Sequence, residues 1–278
     1  MPPQPAIAVL EAALRTRKLD RTLTTAWPSL KRTDAALVPT GVAALDACLR
    51  GGLPRGQLSE IAGPRSSGRT TLALHLIATA TGRGEIAALV DTLDRFDLTS
   101  ACAAGVDLDR LLWVRGQAIT KSQDSGPGPQ ALLDRTVDRA LKALNLVLQA
   151  GGFGVVAIDL ADVPAVALKR IPFTTWLRVQ RTIEGSDTAC VLVTPEPLAR
   201  SAGGITVSLE AMVQWMGHSD RSRHLAGLEM TARMMSPRQR VQGNVRFVAT
   251  ATHLDTPRHR GTEDRKRVSS VPQCLGVS

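Results

Sequence analysis

Tyrosine is absent, and the other large aromatics are scarce: four Trp and four Phe in 278 residues. Proteins that grip single-stranded nucleic acid commonly stack bases on exposed aromatic rings, and this sequence has little to build such a platform from. Binding through backbone amides and arginine is untouched by that argument. Lysine is also scarce, since 28 of the 34 basic residues are arginine. The four cysteines, Cys48, Cys102, Cys190 and Cys274, contain no CxxC pair, which excludes a zinc knuckle. A chain of this length with a real core does not need a disulfide framework, so they read as reduced, mostly buried thiols. The five histidines show no ligand spacing, and no Ser/His/Asp hydrolase pattern is present. No zinc, haem or flavin is expected. The longest apolar runs are broken by Asp91, Asp159 and Asp162, and none reaches the ~18–20 residues of a membrane span. The opening MPPQPAIAVLEAAL lacks the basic stretch and long apolar run of a secretion signal. The expected location is cytoplasmic, without a membrane partner.

What is present is an ordinary globular balance, 44% hydrophobic and 21% charged, with a net charge of +9. A basic surplus points to an acidic partner, nucleic acid or protein, and says nothing of fold. Apolar residues at helical spacing mark a helix over 5–23, and Pro28 and Pro39 mark a linker over 24–40. Strands and helices then alternate. Strands are expected at 57–62, 85–90, 111–114, 153–158 and 189–193. Helices are expected at 69–80, 95–104, 130–149 and 173–182, with a polar Gly/Pro loop at 120–129. Alternation of this kind makes βαβ units and a parallel sheet covered on both faces. From about residue 205 three strand-like segments follow one another, 205–216, 224–234 and 244–251, and are expected to extend the sheet antiparallel. Residues 256–278 are polar and basic and read as a disordered tail.

The strongest local signal is GPRSSGRTT, residues 63–71. Gly63 and Gly68 enclose four residues between an expected strand and an expected helix, which is the context of a phosphate-binding P-loop. Glycines allow amides to turn inward around a phosphate, and the helix N-terminus adds free amides and a positive dipole end. Gly63, Pro64, Ser66, Ser67, Gly68, Arg69, Thr70 and Thr71 are the candidate nucleotide-binding residues. Thr70 suits Mg²⁺. The motif normally has Lys where this chain has Arg69, and a forked guanidinium is no neutral substitute for a compact ammonium. The bland alternative is a Gly-rich turn opening a buried helix.

TGVAALDACLRGGLPRGQLSEIAGPRSSGRTTLALHLIATA, residues 40–80, resembles the core of the RecA recombinases. The TG-x3-LD opening, the GGLPRG turn and the GP-x-SSG-x-TTLAL loop carry the likeness, which extends over roughly 40–215. Within that superfamily, ALVDTLDRFD (88–97) and AGVDLDRLLWVRG (104–116) are most similar to ImuA, the RecA-like accessory protein of bacterial translesion mutagenesis cassettes. The resemblance implies an α/β fold, a RecA-like P-loop core whose mainly parallel, doubly flanked sheet is extended by antiparallel C-terminal strands. It divides the chain into an N-terminal helix and linker (1–39), a core (40–217) and C-terminal strands with a basic tail (218–278).

It also implies ATP or ADP with Mg²⁺, the metal on Thr70 and Asp159. In the RecA pattern a D-x-E element ends the second core strand, and its Glu positions the attacking water. Here Leu93 stands in that place, with Asp94 one residue on. A Gln that senses the terminal phosphate follows the last core strand. Here the chain reads Thr194-Pro195. With Arg69, Leu93 and Pro195 altered, no catalytic set is intact, and the resemblance implies a degenerate ATPase. The family's DNA-binding loops map to 161–174, with Lys169 and Arg170, and to 196–206, with Arg200, Gly203 and Gly204. An ordinary basic surface is the alternative reading of both loops.

The segment 218–278 carries eleven Lys or Arg and five Asp or Glu, hence +6 of the chain's +9. Arg238, Arg240, Arg258, Arg260, Arg265, Lys266 and Arg267 are its candidate partner contacts. The implied function is a largely non-catalytic adaptor in SOS-type damage tolerance. It would join an ImuB-like polymerase-related protein and, indirectly, an error-prone replicative-type polymerase. RecA or its filament, weakly bound single-stranded DNA and a second copy of the chain complete the implied partners, in a bacterial, nucleoid-associated setting. Two rivals stand beside it. One is a DNA-dependent ATPase of recombination in which Arg69 and Asp94 have taken over the missing roles. The other is a SulA-type cell-division inhibitor, which has no need of a P-loop.

Overall fold

The structure is a computed structural model that describes residues 37–117, 128–199, 204–217, 222–236 and 241–250. The helix expected at 5–23, nearly all of the polar loop at 120–129 and the tail from 256 lie outside the described residues.

Two short strands, β1 (Leu37–Val38) and β2 (Leu53–Pro54), pair antiparallel around the helix α1 (Ala43–Cys48). Leu37 and Val38, the end of the segment read as a linker, are therefore buried and paired. The chain then enters β3 (Leu58–Ala62), α2 (Arg69–Gly82), β4 (Ala87–Asp91) and α3 (Leu98–Ala103). A single 3₁₀ turn at Leu108–Arg110 leads to β5 (Leu111–Arg115). Next come α4 (Pro129–Ala150), β6 (Val155–Asp159), the one-turn helix α5 (Ala165–Leu168), α6 (Phe173–Ile183) and β7 (Ala189–Thr194). Three longer strands end the described chain: β8 (Thr206–Met216), β9 (His224–Ser236) and β10 (Val241–Thr250).

The eight-stranded sheet has the order β10-β9-β8-β3-β7-β6-β4-β5. Its six strands from β8 to β5 run parallel, and β9 and β10 add antiparallel. The fold class read from the sequence is thus the one observed. The central parallel strands are apolar on both faces because both faces are covered. Ile61, Leu89, Ala157 and Val191 face α1 and α2, whereas Leu58, Val90, Ile158 and Leu192 face α4 and α6. Helix α2 is enclosed by the sheet and α1, with Met230 of β9 and Phe247 of β10 in the same core, which is why its run from Leu72 to Ile77 has scarcely a polar face.

Most expected boundaries hold to within one or two residues. Helix α3 starts three residues later than the periodicity suggests. The Asp97 carboxylate accepts the Thr99 and Ser100 amides at 3.3 and 3.0 Å and so fixes the N-cap. Of the cysteines in the described residues only Cys190 is buried. Cys48 and Cys102 are exposed, contrary to the expectation of mostly buried thiols.

One buried polar side chain ties α6 to the strand that carries the phosphate loop. The Gln180 amide oxygen accepts the Leu58 N–H at 2.8 Å, and its nitrogen donates to the Gly56 carbonyl at 3.1 Å. Replacing Gln180 by Leu keeps the volume but strands both backbone groups. At ~1–3 kcal/mol for each buried unsatisfied group, Gln180→Leu is expected to cost about 2–6 kcal/mol in urea unfolding. An unchanged midpoint would show that water satisfies them.

Candidate functional site

Strand β3 is buried along its whole length and pairs in parallel with β7 on one side and β8 on the other. Its carboxyl end runs straight into the loop Gly63–Gly68. The Gly63 amide donates to the Thr194 carbonyl at 3.1 Å, and the Ser67 amide turns back to the Pro64 carbonyl at 3.2 Å. Ser66 and Gly68 take left-handed backbone angles, φ 62° and 83°. A Cβ on Gly68 would in addition run into the Met230 sulfur on β9. No side chain caps α2, so the amides of its first turn have no capping partner, the arrangement that binds anions. The Ser67 hydroxyl is buried and has no hydrogen-bond partner. A cleft of about 610 Å³ opens over these groups, lined also by Thr70, Arg95, Asp162 and Leu228. Uncapped amides, an orphaned hydroxyl and glycines with no room for a side chain fit a phosphate chain.

Asp159 ends β6 on the face that carries α2 and lines a cavity of about 90 Å³ together with Thr70. Its carboxylate accepts the Ala161 amide at 2.8 Å. Burial pushes its pKa up to about 6, and the carboxylates of Asp91 and Asp162 add to the rise. One hydroxyl and one carboxylate are what Mg²⁺ takes from a protein when phosphate oxygens and water fill its remaining positions. Among the described residues no group of three or more His, Cys, Asp or Glu is placed to hold a metal ion alone.

Around this pair the other acidic groups are engaged. Asp91 lies beside Asp159 in the sheet, but its carboxylate accepts the Arg95 and Phe96 amides and the Trp113 indole N–H at 2.8, 2.9 and 3.2 Å. Asp94, in a left-handed conformation, turns to Arg115 and holds it through two 2.9 Å hydrogen bonds. Those bonds keep the Asp94 carboxyl below its usual range. Leu93 is half-buried and packs against the core on the opposite face of the sheet, on the α4 side.

The expected DNA contacts are spread out. Lys169 and Arg170 follow α5 at the carboxyl end of β6, each beside a carboxylate: Glu196 at 3.4 Å and Asp134 at 3.1 Å. Gly204 is buried against the Leu58 carbonyl and Ser59, at the amino end of β3 and so away from the phosphate loop. Arg200 and Gly203 lie outside the described residues, as do Arg238, Arg240, Arg258, Arg260, Arg265, Lys266 and Arg267. Pro195 directly follows β7.

Comparison with known proteins agrees with this geometry. Residues 22–127 match the RecA N-terminal domain family. The RecA protein of Symbiobacterium thermophilum is 39% identical over 131 residues, 47% of this chain and 32% of its own length. That of Chlorobaculum tepidum is 41% identical over 124 residues, 44% of this chain and 31% of its own. The chain has a RecA-like core. It spans about a third of the length of the curated relatives it matches. The RecA-like match takes in the phosphate loop and the Asp91 turn, but ends before Asp159.

A group that sequence reasoning missed lies beneath the RecA-like loop. Glu60, 2% exposed on β3, accepts the Leu198 and Ala199 amides at 2.6 and 3.3 Å and the Thr194 hydroxyl at 3.2 Å, all on one oxygen. Its second oxygen is buried without a partner. It clamps the chain leaving β7 onto the strand that feeds the phosphate loop. The only sequence signal was one acid in the apolar run QLSEIA. Burial raises its pKa above the usual 4.5. The folded state therefore holds this proton more tightly than the unfolded chain, and stability falls as pH rises from 4.5 through the raised value. Glu60→Gln keeps an accepting oxygen and removes the charge. Its Tm relative to the parent is expected to climb between pH 4.5 and neutrality. A difference that stays constant over that range would mean that Glu60 is ionised throughout.

Proposed function

We propose that this RecA-like chain is a largely non-catalytic adaptor in SOS-type DNA-damage tolerance, one that holds a Mg²⁺-nucleotide and turns it over poorly. Its role is to join an ImuB-like polymerase-related protein and, through it, an error-prone replicative-type polymerase, in the manner of ImuA. RecA or its filament and single-stranded DNA are further contacts.

The observation that carries the reading is that, among the described residues, neither acid of the turn after β4 is free to position water in front of the cradle. Asp91 already accepts three hydrogen bonds, Asp94 is paired with Arg115, and the half-buried Leu93 has no acidic group to offer. The amides of α2 and the hydroxyls of Ser66, Ser67, Thr70 and Thr71 would hold the phosphates, and Thr70 and Asp159 the metal. Bound Mg²⁺ would neutralise phosphate charge. Positioning without a general base supports binding rather than turnover. Lys169, Arg170, Arg200 and Gly203 are the proposed DNA contacts; Gly204, buried against Leu58 and Ser59, is not among them. Neutralising phosphates with such groups gives weak, salt-sensitive, sequence-independent binding. The basic residues from Arg238 to Arg267 are the proposed contact with the polymerase-like partner, because arginine pairs bidentately with carboxylates.

Loss of a positioned base costs about a hundredfold or more in rate. ATP turnover by the purified chain is therefore expected at least about a hundredfold below that of RecA, with or without single-stranded DNA. Arg69→Lys alone is not expected to restore it. Robust DNA-stimulated turnover that Asp159→Ala abolishes would instead make the chain a DNA-dependent ATPase of recombination. Absence of any nucleotide binding would bring the division-inhibitor reading forward.

A further inference from the structure

The phosphate loop holds one contact that the usual lysine cannot make. Arg69 is the first residue of α2 and is 6% exposed. One terminal nitrogen of its guanidinium donates to the Gly63 carbonyl, at the start of the loop. The other donates to the Ala161 carbonyl at 2.9 Å, just past Asp159 in the connection that leaves β6, and lies 3.6 Å from the Asp162 carboxylate. The fork thus crosses the floor of the cradle from the loop's first residue to the exit of another strand. A lysine has a single nitrogen on a flexible stem and lacks this two-pronged geometry.

On the reading that the cradle takes a nucleotide, we propose that Arg69 is a fixed staple across the cradle and not a ligand of a terminal phosphate, so that nucleoside diphosphates and triphosphates bind alike. Three features carry this. Moving the fork outward to meet a third phosphate would leave the Gly63 and Ala161 carbonyls without their donor. Asp162 stands at the mouth of the cleft, 3.4 Å from Arg65 and 3.6 Å from Arg69, and its negative charge opposes a further anionic group there. The remaining cations that line the cleft, Arg65 and Arg95, are exposed, so solvent screens what they add at any one phosphate. The staple also holds the loop in its phosphate-ready shape through the protein's own contacts. The site then serves as a constant structural element and does not report which nucleotide it holds.

The test is calorimetric titration of the full chain with ADP and with a non-hydrolysable ATP analogue, both with Mg²⁺. The two dissociation constants are expected within about threefold of each other, a difference well below the tenfold step. Arg69→Lys, which removes the fork, is expected to favour the triphosphate analogue by about tenfold or more and to lower the nucleotide-free Tm. Asp162→Asn, at an exposed position where folding is not at stake, is expected to shift preference toward the triphosphate in the same direction. A parent chain that prefers the analogue by about tenfold or more would overturn the proposal, because Arg69 then reaches the terminal phosphate. If neither nucleotide binds, the nucleotide reading itself fails and the proposal falls with it.

Discussion

Everything at the candidate site depends on one strand having no exposed residue. β3 is buried from Leu58 to Ala62 and hydrogen-bonded on both edges, so its direction and register are fixed by β7 and β8. Its end cannot drift, and the chain must turn at once into Gly63. The turn then lies between two neighbours already in place, the Thr194 carbonyl on β7 and the Met230 side chain on β9. A loop held so tightly can present uncapped helical amides without collapsing onto them. The cradle is thus a consequence of where β3 lies.

Much of this was legible in the sequence because the signals were physical ones. Strands apolar at successive positions, such as Val155–Ile158 and Ala189–Val193, can be buried only if both faces are covered. That condition specifies a parallel sheet between helix layers. The loop announced itself by two glycines at the right spacing between a strand and a helix. The antiparallel extension was legible as long strand-like segments without intervening helices. What stayed hidden was whatever depends on residues far apart in the chain. Glu60 reaches Leu198, Gln180 reaches Leu58, and Arg69 reaches Ala161. No periodicity encodes such pairings. Arg69 could be flagged as a departure from lysine, but its partner could not be read. The short α1 and α5 offered too few residues for a period to show.

The site combines an open phosphate cradle with acidic groups engaged by the protein's own contacts. Thr70 and Asp159 still share a cavity, and the loop still offers its amides. The acidic groups nearby have been drawn into structural work: Asp91 organises the turn to Phe96, and Asp94 restrains Arg115. Asp162 sits beside Arg65 and Arg69. Each of these contacts engages an acidic group close to the cradle.

The central claim is that this fold is used as a platform whose partner contact does not depend on turnover. The direct measurement is capture of a purified ImuB-like protein from the same genome by the full chain, in ATP, in ADP and after enzymatic removal of nucleotide. The account expects the same amount captured in all three. Capture that requires ATP and decays as ATP is consumed would contradict it.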